Sequence, residues 1–341
     1  MTAIQRLVGV VVLLLVECAA AASWAEAPTT ARPSEAEVRA TIDRSLPYLQ
    51  SAGTSWIEKK KCISCHRVTF LTWSLSAASR NGFEVDRARL QGWMDWSISE
   101  TLKNRGEGKP VDGAQNLDGV AQLILGQAVD SPTLLSPEQA ATFLQLLIEG
   151  QQADGSWKPG GQLPGQKRPL SETTQASTMW NALALGRLEK TPAADASRRR
   201  AVSWLEQGQP GVSTEWYAVR LLLAHQQGAA ERVQKTVEQL RSHQNEDGGW
   251  GWLHADESDA LATGQAVYAL ALAGVPSSDP AITSAQQFLV GTQRKDGAWD
   301  VRGTKENKKQ RVEETASYWG AAWATLGLLQ TLPPPTDAAA G

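Results

Sequence analysis

Cysteine is nearly absent from this 341-residue chain, which has only Cys18, Cys62 and Cys65. So few thiols exclude a disulfide-stapled scaffold. Phenylalanine and tyrosine are scarce too, four of each against 14 tryptophans, so the aromatic content is skewed rather than low. Neither sign of charge dominates: 33 Lys and Arg face 36 Asp and Glu, leaving a net charge of −3. That excludes the overall basic surplus of a general nucleic-acid binder, and no nucleic-acid partner is expected. Long hydrophobic runs are missing as well. The apolar stretch Leu7–Val16 falls short of the roughly 20 residues a spanning helix needs.

That short stretch follows Arg6 and precedes the small residues Ala19–Ala22 and Ser23-Trp24-Ala25, the order of a secretory signal peptide. Residues 1–25 are expected to be the signal, with cleavage after Ala25 or, alternatively, Ala22. A retained membrane anchor is the competing reading. Residues 26–34 read as a linker, 35–331 as the folded domain, and 332–341 as a disordered tail. The mature protein is then periplasmic or secreted and not an integral membrane protein, and cleavage removes Cys18.

The remaining cysteines stand in Cys62-Ile63-Ser64-Cys65-His66, the attachment pattern of c-type haem. Two thiols three positions apart suit thioether bonds to the two vinyl groups on one edge of the macrocycle. The next residue, His66, reaches the iron as proximal ligand. Haem c and its iron are therefore the expected cofactor, bound by Cys62, Cys65 and His66, with a redox partner protein implied. Chance occurrence, a redox disulfide and a zinc site are the alternatives, but no βαβ pattern or second Cys/His pair accompanies the motif. Lys59, Lys60 and Lys61 precede it, either as a solvated run or as a docking patch for an acidic partner.

The chain also repeats itself. Gln151-Gln-Ala-Asp154-Gly155-Ser-Trp157 recurs at Gln244–Trp250 and at Gln293–Trp299, each as Gln-x-x-Asp-Gly-x-Trp. Gln50–Trp56 and Gln207–Trp216 read as degenerate copies. A stripe such as Val233, Val237 and Leu240 marks an amphipathic helix before each copy. A segment apolar on nearly all sides, such as 263–272 or 319–326, follows it and should be buried. Counting these units predicts six helical hairpins, an all-α chain. The outer and inner helices pair as 35–50 with 64–80, 86–103 with 115–129, 136–150 with 173–189, 195–207 with 213–227, 229–243 with 259–274, and 279–292 with 313–331. A closed two-shell ring fits better than an open solenoid, which would want polar capping repeats.

The intact repeats resemble the QW motifs of squalene–hopene cyclases and related terpenoid cyclases. The resemblance, over about 35–331, implies an α/α toroid of six hairpins, a fold shared with protein prenyltransferases and complement thioester domains. It implies structural roles for Gln151, Trp157, Gln244, Trp250, Gln293 and Trp299, and a cavity for an apolar or terpenoid-like molecule. It does not carry activity with it. Those cyclases use an Asp-x-Asp-Asp-Thr acid. Aligned on Thr263, its aspartates fall on Asp259, Leu261 and Ala262; aligned on Thr315, on Arg311, Glu313 and Glu314. Glu313 and Glu314, sharing a proton, and Asp259 are thus the candidates for a residual acid. Against this, Glu172 and Glu215 occupy similar places in other repeats, where carboxylates satisfy free N–H groups at helix starts. The prenyltransferase zinc set and the thioester Gly-Cys-Gly-Glu-Gln string are absent.

In such a ring the inner helices all start at one end, the mouth, where the Asp-Gly-Trp turns gather. The haem motif is expected there, and so is the ligand cavity. Among possible distal iron ligands, His254 ranks first by its place in a mouth loop, then Met179, then His243; Met94 and His225 lie elsewhere. The Gly/Pro loop Lys158–Leu170 is expected to lid the mouth, and Gly303–Arg311 reads as a basic insertion in the same kind of loop.

Overall fold

The computed structural model describes residues 32–60, 67–104, 106–126, 135–161 and 163–334. The expected signal peptide, the haem motif at 62–66 and most of the tail lie outside them. Twelve α-helices follow one another: α1 (Glu35–Lys60), α2 (Val68–Arg80), α3 (Arg87–Thr101), α4 (Leu117–Leu125), α5 (Pro137–Glu149) and α6 (Leu170–Leu185), then α7 (Pro192–Leu205), α8 (Thr214–Gln226), α9 (Ala230–Ser242), α10 (Ala260–Leu272), α11 (Pro280–Thr292) and α12 (Glu314–Gln330). Two short strands, β1 (Trp250–Gly251) and β2 (Ser258–Asp259), pair antiparallel in one mouth loop.

The even-numbered helices are inner and almost wholly buried. All but three residues of α6 and all but three of α12 are inaccessible, whereas α5 buries only Phe143 and Leu147 fully. The inner helices touch in the cycle α2–α4–α6–α8–α10–α12 and back to α2. That is the closed α/α toroid expected. Between α10 and α12 the backbones meet directly: a Cβ on Gly264 would overlap the Trp323 backbone, so only glycine fits there.

The pairing of helices differs from expectation in one respect. Every inner helix but α2, which packs equally on α1 and α3, lies closer to the outer helix that follows it than to the one before, and α12 takes α1 as its partner. Link length is the cause. Inner-to-outer links such as Asn81–Asp86 and Gln227–Ala229 are short, and short links make antiparallel neighbours. Outer-to-inner links carry the long turns.

Three of those turns explain the repeat. Each Gln side-chain amide donates twice, once within its own turn and once to the next outer helix. Gln151 reaches the Gly155 and Ser197 carbonyls, both at 2.9 Å. Gln244 reaches Gly248 at 2.8 Å and Ala281 at 2.9 Å. Gln293 reaches Gly297 at 3.2 Å and, closing the ring, Thr41 of α1 at 2.8 Å. Each Asp accepts from the N–H two residues on, at 2.9–3.2 Å. Each Gly has a positive φ, between 84° and 99°, which an L side chain resists. Each Trp is fully buried and its Nε1 donates to the outer helix, at Leu147, Leu240 or Leu289, at 2.8–2.9 Å. A buried indole N–H needs such a partner.

The two degenerate copies do not form this turn. Gln50–Trp56 lies inside α1, which runs on to Lys60 instead of ending near residue 50. The motif's glycine position holds Thr54 there, so nothing favours the left-handed residue that would break the helix. Trp216 belongs to inner helix α8, and its Nε1 donates to Gln175 Oε1 of α6 at 2.9 Å.

Candidate functional site

The axis of the ring is closed by aromatic side chains rather than open. Phe70 and Trp73 of α2, Trp180 of α6, Tyr268 of α10 and Trp319 and Trp323 of α12 form one cluster. Trp323 stands 5.2 Å from Phe70, 5.5 Å from Trp73, 5.9 Å from Trp180 and 5.4 Å from Tyr268, centroid to centroid. Most of these pairs are tilted or edge-on, as ring quadrupoles prefer. Trp73, Trp180, Trp319 and Trp323 thus face the core.

On the side away from the mouth this plug leaves an apolar pocket of about 310 Å³. Trp73, Trp180, Leu183, Leu222, Tyr268 and Leu272 wall it, and Arg187, His225 and Gln226 stand at its edge. It lies where α6, α8 and α10 end, on the opposite side from the mouth. The cause is the plug itself, which separates mouth from pocket. At the mouth the main cleft, about 510 Å³, is lined instead by charged groups including Lys167, Asp256, Asp259 and Arg302.

Buried charges gather at the starts of the inner helices. Arg168 Nη1 lies 2.8 Å from Glu215 Oε2 and donates to Ser213 Oγ at 3.0 Å. Glu215 Oε1 accepts from Trp180 Nε1 at 3.0 Å. Glu172 accepts from the Val212 and Ser213 N–H groups, both at 3.0 Å, ahead of α8. Glu172 and Glu215 are therefore structural, as their recurrence implied. Next to them sits Asp118 of α4, almost fully buried, accepting from the Gly160 N–H at 3.2 Å through Oδ2. Burial pushes its carboxyl up to about 6, against the pull of Ser177 and Gly160, and the Glu215 charge adds to the rise. Its Oδ1 has no hydrogen-bond partner among the described residues. Sequence reading missed Asp118 and Arg168, because Asp118 starts α4 and Arg168 precedes α6, and only the ring brings them together with Glu215 of α8.

The acid candidates separate. Glu313 caps α12, accepting from the Ala316 N–H at 2.9 Å and from Lys308 Nζ at 2.8 Å. Burial alone would raise its carboxyl, but these donors outweigh it and hold it below its ordinary value. Glu314 is exposed and pairs with Arg67 at 2.9 Å. The two do not share a proton, so the expected acid pair is replaced by a cap and an ion pair. Asp259 caps α10, accepting from Ala262 N–H at 2.8 Å and Trp252 N–H at 3.2 Å. Enclosure by its turn pushes the Asp259 carboxyl up to about 6, with Lys167 and the two N–H groups opposing.

Cys62, Cys65 and His66 lie outside the described residues, but the residue after them is anchored. Arg67 is fully buried, bonded to Glu314, with its guanidinium 4.6 Å from the Tyr318 ring centre and 5.0 Å from that of Trp56. These contacts hold Arg67 beside the start of α12, at the mouth. The proposed distal ligands are held by other parts of the ring. His254 stacks on His243, 3.5 Å between ring centres, with Tyr217 at 5.0 Å, and its N–H donates to Val212 O at 3.0 Å. Burial and the neighbouring His243 push His254 down to about 4, and burial also lowers His243. Met179 is buried and faces α7 beside Val202 and Leu205. Met94 is buried in α3, and His225 is exposed at the far pocket.

No helix of the described residues is long and apolar enough to cross a membrane. No group of three or more metal-ligating side chains occurs among them. Comparison with curated proteins finds no match. Among solved structures, a glycosyl hydrolase family 88 protein from Bacteroides vulgatus is similar, with a TM-score of 0.62 at 13% identity, covering 87% of this chain and 99% of that one. A polysaccharide lyase gives 0.57 at 10% identity, covering 86% and 96%. A type II terpene cyclase from Scytonema, solved with geranylgeranyl dihydroxybenzoate as substrate, gives 0.53 at 13% identity, covering 87% and 97%. Such identities carry the fold alone. In sequence, the squalene-hopene cyclase N-terminal domain family matches residues 196–293, the stretch containing the repeat turn at Gln244–Trp250. The chain is an α/α toroid whose residues 196–293 are similar to the squalene-hopene cyclase N-terminal domain.

Proposed function

We propose that this chain is an exported toroid protein that carries haem c on Cys62 and Cys65, with His66 as proximal iron ligand, and serves in electron transfer. The observation that carries the reading is the Cys-x-x-Cys-His motif running directly into Arg67, which Glu314 and Tyr318 pin at the mouth. The donor set fits the group: two thiols for the vinyl edge and one imidazole for the iron, with no other cysteine left after export. Bound haem supplies a reversible one-electron carrier. The protein's own contribution is to hold the attachment segment. Arg67 is buried between two aromatic faces, and such a cation contact is worth about 0.5–2 kcal/mol.

His66 would be the residue that holds the iron, since His254 is engaged with His243 and Met179 packs against α7. Exposed Lys59 and the lysines after it supply the positive patch for an acidic redox partner. The ring's pocket takes an apolar molecule. A cyclase-type acid reaction through Glu313 and Glu314 has no comparable support, because Glu313 is held ionised.

Expression with a c-haem maturation system and a visible spectrum tests the reading. A Soret band, with haem stain that survives denaturing gels, is expected. An unstained, colourless protein contradicts it.

A further inference from the structure

Four arginines line one groove on the outside of the ring. It lies between the outer helices α7 and α9, over the last turns of α8. Two pockets join in it, of about 480 Å³ and about 30 Å³, sharing Val202, Glu206 and Gln227. Arg198 and Arg199 of α7 line the larger, and Arg220 of α8 and Arg232 of α9 line the smaller. The larger falls within the range of small-molecule sites, about 300–1,000 Å³.

The charges of this groove do not cancel. Its carboxylates are Asp195 and Glu206. Glu206 pairs with Arg232 at 3.1 Å. Asp195 stands one helical turn before Arg199 on α7, the spacing at which the two charges offset each other. Arg198 and Arg220 are left over, and neither forms an ion pair among the described residues. Arg198 is held by a neutral group, donating to Gln226 Oε1 at 3.0 Å. Arg220 is half-buried, its guanidinium 4.9 Å from the Trp216 ring centre. Burial and the neighbouring Arg232 push it below its ordinary value, with Tyr217 and Glu206 opposing. An amide oxygen and an indole face orient a guanidinium without neutralising it. The groove therefore keeps two positive charges and N–H donors to spare, and the guanidinium fork matches the oxygens of a phosphate.

We infer that this groove binds a phosphate dianion, free or as the monoester of a small molecule, held by Arg198 and Arg220. Arg199 and Arg232, balanced by their own carboxylates, add donors but no net charge. The site uses no residue of the mouth or of the aromatic plug, and it is independent of the haem and of the apolar pocket's ligand.

Titration calorimetry of the full chain at constant salt and about pH 8, where both phosphate probes are dianions, tests it. Inorganic phosphate and glycerol 3-phosphate are expected to bind saturably at one site, and succinate more weakly than either. Tighter binding of the ester assigns a phosphorylated organic molecule; equal binding assigns free phosphate. Arg198→Gln and Arg220→Gln should each weaken phosphate about tenfold, the scale of one charge-assisted hydrogen bond. Arg220→Lys keeps the charge without the fork and should recover only part of that loss. Lys295→Gln removes the same charge from an exposed turn outside the groove and should change nothing. Thermal melts without phosphate check the fold of each variant; Arg198, at the surface of α7, carries the test if Arg220→Gln disturbs Trp216. No saturable binding of either phosphate, unchanged binding in the arginine variants, or an equal loss in Lys295→Gln overturns the site. Succinate bound as tightly as phosphate overturns the phosphate assignment.

Discussion

Gln293 donates its side-chain amide to the Thr41 carbonyl at 2.8 Å across 252 residues of sequence. The same bond that joins neighbouring hairpins elsewhere here joins the last outer helix to the first. Arg44 reinforces it, donating to Gln293 Oε1 at 2.9 Å. Gln293→Ala leaves a partly buried carbonyl without its donor and should lower stability by about 1–3 kcal/mol. Urea unfolding measures this, and hydrogen exchange should show α1 losing protection first.

The Asp-Gly turns make a second prediction. Gly297 has φ +84°, and a Cβ there would overlap the Arg44 carbonyl; Gly82 has φ +77° with nothing within 4 Å. Alanine at Gly82 meets only the left-handed backbone cost, about 1–2 kcal/mol. Alanine at Gly297 must also part α1 from its turn, so its loss should exceed about 3 kcal/mol. Equal thermal shifts for the two variants would contradict the contact.

Asp118 makes stability depend on pH in an unusual direction. Its carboxyl sits at about 6 in the fold against an ordinary 3.8, so between those values the folded state holds more protons than the unfolded chain. Stability therefore falls as pH rises from about 4 to about 6, by about 2–3 kcal/mol, and stays low above that. Asp259, also pushed up to about 6, acts in the same sense. His254, pushed down to about 4, acts oppositely, since stability returns as it loses its proton. Asp118→Asn should be more stable than the parent at pH 7.5, with the gap closing towards pH 4.5. A gap that is the same at both pH values would contradict the burial of an ionisable Asp118.

The fold was legible in the sequence because its parts repeat. Gln, Asp, Gly and Trp each have one job in the turn, and together they mark the hairpins at 151–157, 244–250 and 293–299. Spacing alone misled where the chemistry was missing: Thr54 cannot take the place of the turn glycine, so Gln50–Trp56 stays helical in α1. The relation of inner to outer helices was written in link length, in short links such as Gln227–Ala229. The buried cluster was not legible. Asp118 of α4, Arg168 ahead of α6 and Glu215 of α8 are far apart in the sequence and meet only when the ring closes. The aromatic plug was half legible: the tryptophans of the inner helices had to face inwards, but that they fill the axis and move the cavity to the far side depends on how α2, α6, α10 and α12 converge.

The central claim is the covalent cofactor, and the intact mass of the exported protein tests it most directly. Made alongside a c-haem maturation system, the chain should be heavier than the mature polypeptide by one haem, and Cys62→Ala/Cys65→Ala should return it to the polypeptide mass with the fold unchanged. A parent chain that carries no added haem, or a double variant that keeps it, would contradict the account.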